Sequence, residues 1–234
     1  MPRPWTVLPH RPVEKLQENL WTVEANLPRG PMKRRMGIAR LGTGELVFLN
    51  AIALDEPAMR ELEAWGRPAF VVAANGFHRI DLGSYKQRYP QLRVLAAPAA
   101  RKRIAEVVPV DGWLELLPRD PGLVIEPVAG TKLGDVVCMA RAASRVSLCF
   151  PGDVLTNMTP MAGVGGLVAS ALGFTGELRV PRLIRWIGVR DRRALAAHLM
   201  KLADTEGLQH VFTCHGPVVS VDPMGALRRA AEAL

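Results

Sequence analysis

The sequence predicts an α/β (α+β) chain in which two mixed β-sheets pack against each other with helices on the outside. Three observations carry that prediction. The 234 residues are 49% hydrophobic, enough to fill a substantial core. Short apolar runs bounded by Gly, Pro, Asn and Asp recur along the chain, as half-buried and buried strands require. The order of elements is strands and hairpins, a βαβ passage, more strands, then helix, strand and helix. That order suits two packed mixed sheets better than a strictly alternating parallel sheet. No internal repeat or low-complexity tract divides the chain, so residues 1–234 read as one domain with a proline-rich lead over 1–18.

Leu20 to Ala25 (LWTVEA) predicts the first strand after that lead. Met36 to Leu41 and Glu45 to Leu49 predict a hairpin closed by Gly42, Thr43 and Gly44. Asp55 is a good N-cap, Pro57 fits a first helical turn and Gly66 supplies a stop, so Glu56 to Trp65 is expected to be helical. A buried strand over Ala69 to Ala74 follows, then a helix around Ser84 to Arg88, a strand at Arg93 to Ala96 and a helix at Ala99 to Glu106. From residue 113 the pattern turns to strands alone: Trp113 to Leu117, Leu123 to Pro127, Asp135 to Ala140 and Ser144 to Phe150. Gly152 to Gly176 is glycine-rich and loosely apolar. A helix from Asp191 to Ala203, a strand at His210 to Cys214 and a helix from Pro223 to Leu234 complete the chain.

Charge and cysteine content narrow the function classes. Thirty Lys plus Arg against 22 Asp plus Glu give a net charge of +8, which speeds encounter with anionic partners and tilts a small-molecule substrate or ligand toward an anionic one. The excess sits in PRGPMKRRMGIAR (28–40) and RVPRLIRWIGVRDRR (179–193), expected to be solvated faces; no nucleic-acid-binding signature accompanies them. Cys138, Cys149 and Cys214 form neither a CxxC pair nor a disulfide framework and read as buried free thiols. No stretch approaches the roughly 18 consecutive apolar residues of a membrane span, and Met1 to His10 lacks a signal peptide's apolar segment. The expectation is a soluble cytoplasmic protein. In MAGVGGLVASALGFTG (161–176) the glycines do not fit a nucleotide-binding fingerprint and no Walker lysine follows, so the segment reads as a flap or a subunit contact, as in a homodimer. Its continuation, with Arg182, Arg185, Trp186 and Arg190, has the character of a basic amphipathic helix on an anionic membrane, but Pro181 limits such a helix and burial against the sandwich is expected. Ser144, Ser147 and Ser170 lack the GxSxG elbow of a serine hydrolase.

Three polar clusters each follow directly on an apolar strand. They are Asn75, His78 and Asp81 after VVAA; Gly152, Asp153 and Asn157 after VSLCFP; and His215 with Gly216 after VFTC. Strand C-termini gather reacting groups because loops there converge over a rigid base. Two histidines with carboxylates from separate loops make a donor set for zinc, manganese or iron. His78 and Asp81, three apart at a helix start, are placed to point the same way. Structural roles stand beside these. Each histidine also reads as a hydrogen-bonded structural residue, Asp81 as the cap of the helix beginning near Leu82, and Asp153 as a turn former. His10, His198 and His210 read as surface or packing residues.

Four segments in order resemble the metallo-β-lactamase superfamily, and in particular a branch with Asn-x-x-His in place of HxHxDH. LVFLNAIALDEPAMRELEAWG is similar to the family's early strand and first helix, and VVAANGFHRIDLGSYKQRYPQLRVLAAP to its strand, metal loop, helix and next strand. GTKLGDVVCMARAASRVSLCFPGDVLTN resembles the segment ending in the family's Gly-Asp, and HVFTCHGPVV its terminal His-Gly motif. The resemblance implies a four-layer αββα sandwich with His78 in the metal loop, Asp153 as the bridging or metal-binding carboxylate and His215 as the last histidine. Ala73, Asn75 and Phe77 fill the earlier HxHxDH positions, and Thr131 stands where a mid-chain histidine is expected, leaving Asp135 as the nearest carboxylate. The implied ligands are therefore His78, Asp135 or Asp81, Asp153 and His215, for at most one divalent ion. With an ion, the implied activity is hydrolysis of an ester, lactone, thioester or phosphoester, with Asp153 and Arg79 as catalytic groups and Asn75 and Asn157 meeting the substrate. Without one, the same fold is a scaffold that binds a ligand or a protein partner.

Overall fold

Among residues 4–234, which the computed structural model describes, ten strands form two sheets. The first contains β1 (Glu14–Gln17), β2 (Leu20–Asn26), β3 (Lys33–Arg40), β4 (Glu45–Leu49), β5 (Arg67–Ala73) and β6 (Arg93–Ala96), side by side in chain order. β1 to β4 pair antiparallel, whereas β4, β5 and β6 are parallel and connected by helices α1 (Glu56–Trp65) and α2 (Leu82–Arg88). The second sheet has the order β10, β9, β8, β7, from β7 (Leu123–Pro127), β8 (Val136–Ala142), β9 (Arg145–Phe150) and β10 (Leu208–Thr213). Only β9 and β10 in it are parallel. α3 (Pro98–Ala105) follows β6; α4 (Gly163–Ala171), α5 (Arg182–Ile187) and α6 (Arg192–Ala203) lie in the crossover from β9 to β10; α7 (Pro223–Glu232) closes the chain.

Side-chain alternation explains the layering. Met36, Ile38, Leu46, Phe48, Val71 and Val94 pack with the α1 to α3 side, while Ala39, Val47, Leu49, Phe70, Val72 and Leu95 face the second sheet. On the second sheet, Cys138, Ala140, Cys149 and Phe212 face inward, and Val137, Leu148, Phe150 and Val211 pack against Leu195, Leu199, Leu227 and Ala230 of the outer helices. The result is helix, sheet, sheet, helix, because strands buried on both faces need a partner layer on each. Each large side chain buried this way contributes about 1.5 to 3 kcal/mol relative to exposure. Gly37 allows the sheets their close approach: a Cβ there would lie 2.9 Å from the Cys149 sulfur.

α1, β6 and β7 have the predicted limits, and the Asp55 carboxylate accepts the Ala58 N–H as the expected cap. Three expectations are corrected. The proline-rich lead contains a strand, β1, paired with β2; its first three residues lie outside the described range. Trp113 to Leu117 is not a strand but a short 3-10 turn over Leu114–Leu116, stabilised by Trp113 N–H donating to the Glu115 carboxylate at 3.1 Å. The glycine-rich stretch folds a helix, α4. No helix is long and apolar enough to cross a membrane among the described residues.

Candidate metal centre

The rim where β4, β5, β9 and β10 end carries the predicted clusters. Phe150 and Thr213 are register partners at the ends of parallel β9 and β10, so Asp153 and His215 leave the sheet side by side. Antiparallel β3 begins at the same rim, and the Arg35 N–H donates to the Cys214 carbonyl at 2.7 Å, joining the two sheets there. His78, in the loop after β5, brings Nε2 to 3.1 Å from Oδ2 of Asp153. His215 brings its Nε2 to 3.8 Å from Oδ1 of the same carboxylate. The three residues placed far apart in sequence do meet.

Their outer partners determine what these atoms can do. Asn50 follows β4 with φ of 60°, a left-handed conformation that asparagine tolerates better than most residues. Its Nδ2 donates to the Arg35 carbonyl at 2.9 Å, which leaves Oδ1 to face Nδ1 of His78 at 2.9 Å. Because that oxygen only accepts, Nδ1 of His78 carries the proton. His215 is held likewise, its Nδ1 donating to the Lys33 carbonyl at 2.6 Å. Both imidazoles therefore aim Nε2 at Asp153, the arrangement by which metal-binding histidines are oriented.

Electrostatics agree with this geometry. Burial disfavours the Asp153 carboxylate, but the neighbouring His78, His215 and Asn75 outweigh it and hold its pKa below the ordinary range. Burial, reinforced by His78, lowers the His215 pKa, so its neutral form is favoured. Burial opposes a charge on His78 as well, yet Asp153 and Asp135 bring its pKa above the usual value.

Asp135 stands one layer behind. Its Oδ1 accepts from Asp153 N–H at 3.0 Å and from Asn75 Nδ2 at 3.4 Å; Oδ2 is buried without a partner. Burial and then the Asp153 charge push its pKa up to about 6. A Cβ at residue 152 would lie 2.2 Å from Oδ1 of Asp135, so only glycine fits before Asp153. Asn75, completely buried, donates to Asp153 at 2.8 Å and accepts the Phe77 N–H at 2.8 Å. Asn157 donates to the Pro217 carbonyl at 2.8 Å and accepts from the Thr213 hydroxyl at 3.2 Å. Both asparagines are internal struts in this arrangement, with no side chain open to a substrate.

Asp81 does not point the way His78 does. Its Oδ2 pairs with Arg34 at 2.6 Å and accepts the Ala53 N–H at 3.1 Å, and its side chain makes no capping bond to α2. A buried guanidinium demands that carboxylate more strongly than a helix end does. Arg79 is turned to the Glu106 carboxylate at 2.5 Å and the Arg103 carbonyl at 2.6 Å. Arg34, Asn50 and Cys214 complete the surroundings and were not singled out from sequence. Asn50 ends an apolar strand as the other clusters do, and Arg34 shares a strand face with Met36 and Ile38; those were the available signals. Cys214 donates its thiol to the Gly152 carbonyl at 2.8 Å, and burial holds its pKa well above the ordinary value.

Solved metallo-β-lactamases superpose on most of the chain. DIM-1 metallo-β-lactamase exposed to ceftazidime does so with a TM-score of 0.62 at 14% identity, covering 97% of this chain and 99% of the other. The chain has the metallo-β-lactamase fold. The metallo-β-lactamase from Hirschia baltica gives 0.58 at 13% identity over 94% of this chain and 98% of its own. FIM-1 from Pseudomonas aeruginosa, described in its mono-zinc form, gives 0.58 at 14% identity over 97% and 96%. No protein-family model matches the sequence, and no curated protein does.

Within this fold four donors lie close enough together to hold a metal ion. Ligand atoms of His78, Asp153, Cys214 and His215 all lie within 4.8 Å of one another. Atoms about 2.0 to 2.3 Å from a shared tetrahedral ion are roughly 3.3 to 3.8 Å apart; Asp153 lies 3.1 Å from His78 and 3.8 Å from His215, and the widest separation in the group stays within 4.8 Å. Two imidazoles and a carboxylate are a donor chemistry that zinc accepts, and the Cys214 thiol, held by the Gly152 carbonyl, stands beside them. Asp81 and Asp135 are outside this group.

Proposed function

We propose that the chain is a metal-dependent hydrolase with a reduced site that holds one divalent ion through His78, Asp153 and His215. The observation that supports this most is the pair of outer hydrogen bonds, from Nδ1 of His78 to Asn50 and from Nδ1 of His215 to Lys33, which turn both Nε2 atoms toward one carboxylate. Zinc in such a setting lowers the pKa of a bound water toward ~7 and so supplies a nucleophile at neutral pH. The chain's own groups do the rest. Asp153 sets the charge that the donor set presents. Leu27, Met32, Phe77 and Ile80 line one side of a cavity of about 160 Å³ over His78 and His215 and keep bulk water away from it. Arg34 lines the same cavity, but Asp81 neutralises its guanidinium at 2.6 Å, so its part is to shape the pocket rather than to offer an unpaired charge to an oxyanion. Arg79, the cation the sequence offers for that role, is the more exposed of the two and would have to leave Glu106 to meet the developing anion. Esters, lactones, thioesters and phosphoesters small enough for the cavity are the proposed substrates.

A second reading has its own observation. His78 and Asp153 already hydrogen-bond directly, so the network also closes without an ion, as in a scaffold that binds a ligand or protein. Elemental analysis of protein purified without added metal, repeated on His78→Ala and His215→Ala, separates the two. The hydrolase has near-stoichiometric metal that either substitution removes. The scaffold has none, and the substitutions lower stability by about 1 to 3 kcal/mol.

A further inference from the structure

We propose that α4 and α5 form a face by which the protein docks on an anionic membrane surface. α4 is turned inside out relative to an ordinary surface helix. Val164, Leu167 and Val168, at the spacing of one helical stripe, are 78%, 71% and 52% exposed, whereas the small residues Gly166 and Ala169 face inward. Gly166 packs so tightly on the Met161 carbonyl that a Cβ has no room, which fixes this orientation. α5 meets the end of α4 through Leu183 N–H donating to the Leu172 carbonyl at 3.2 Å and Arg182 donating to the Ala171 carbonyl at 3.4 Å. It buries Ile184 but leaves Trp186 80% exposed and Ile187 exposed beside it, contrary to the burial expected from sequence.

Charge selects the occupant. Six arginines, Arg179, Arg182, Arg185, Arg190, Arg192 and Arg193, fall within the fifteen residues around α5. The acidic residues nearby are engaged elsewhere: Glu177 approaches Arg229 at 3.6 Å, and Asp191 caps α6 through the Ala194 N–H. Arg190, Arg192 and Arg193 are exposed. Clustered exposed apolar side chains mark an interaction site rather than ordinary surface. A tryptophan and branched aliphatics flanked by arginines suit a headgroup layer, where the ring and aliphatic chains enter the acyl boundary and the guanidinium groups meet lipid phosphates. A second copy on the same face would bring the arginine sets against each other, and a nucleic-acid backbone offers nothing to the valines and leucine.

Co-sedimentation of the full chain with vesicles tests this. Vesicles of phosphatidylcholine with about one third phosphatidylserine should bind the protein at least about tenfold more tightly than phosphatidylcholine alone, with binding falling as salt rises. Leu167→Glu combined with Trp186→Glu should reduce that binding more than about tenfold, and Arg190→Gln with Arg193→Gln about fivefold per arginine, with unchanged circular dichroism. Absence of vesicle binding, equal binding to both vesicle types, or undiminished binding by the Leu167→Glu/Trp186→Glu protein overturns the proposal. So does a dimer in sedimentation equilibrium that the same double substitution abolishes while vesicles bind nothing.

Discussion

Arg34 with Asp81, and His78 with Asp153 and His215, are two buried charged clusters beside one cavity, and they differ in the direction in which their partners hold donors and acceptors. In the first, a guanidinium 4% exposed and a fully buried carboxylate meet at 2.6 Å, and the main chain of Ala53 adds a further donor to the carboxylate. Opposite charges neutralise each other, and the pair works as a strut. In the second, one carboxylate faces two imidazoles whose far nitrogens are held by neutral acceptors, Asn50 Oδ1 and the Lys33 carbonyl. His215, whose neutral form is favoured, keeps its Nε2 lone pair for an incoming cation, whereas the His78 Nε2 that donates to Asp153 offers one once the cation displaces its proton. Burial and charge are common to strut and site; the direction in which donors and acceptors are used separates them.

Substitutions sharpen that difference. The largest effect is expected for Asp81→Ala, which leaves Arg34 buried without its counter-ion and should lower unfolding stability by about 3 to 5 kcal/mol in urea titrations. The folded fraction should keep its metal content; loss of the ion in proportion to Asp81 would move this residue from strut to ligand. Asp135→Asn should act through pH. The Asp135 pKa rises from 3.8 to about 6 on folding, so the protonated form is favoured in the native state. Its contribution to stability is present at low pH and falls as pH rises from about 4 to about 6. The difference between wild-type and Asp135→Asn stability curves should therefore grow across that window, to about 2 to 3 kcal/mol at neutral pH. A flat difference contradicts the assignment. Asn50→Gly keeps the left-handed turn but removes the acceptor from His78, and should weaken zinc affinity about 10- to 100-fold in a chelator competition. Cys214→Ser should have the smallest effect, within about fivefold on zinc affinity, because its thiol is held by Gly152 and its pKa is raised.

Much of this was legible in the sequence. Strand ends followed by small polar clusters marked His78, Asp153 and His215, since apolar runs and the residues that stop them are local features. Asp81 was not separable from a ligand or a cap, because its partner Arg34 lies 47 residues away on β3. Asn50 carried the same strand-end signal as the other clusters, but its role depends on the carbonyl of Arg35, a main-chain atom with no mark in the sequence. Lys33 is an acceptor for the same kind of reason. Trp113 to Leu117 has strand composition, yet the Glu115 carboxylate reaching back to Trp113 N–H tightens it into a turn. In α4, small apolar composition suggested a flap or a subunit contact, and the close packing of Gly166 on the Met161 carbonyl inside a helix depends on an approach the sequence does not mark.

The central claim is tested most directly by anomalous diffraction from crystals equilibrated with zinc near neutral pH. The account predicts one ion in contact with Nε2 of His78, Nε2 of His215 and the Asp153 carboxylate, with Asn50 and Lys33 still holding the two Nδ1 atoms. Crystals in which zinc binds elsewhere or not at all, with His78 still bonded directly to Asp153, would contradict it.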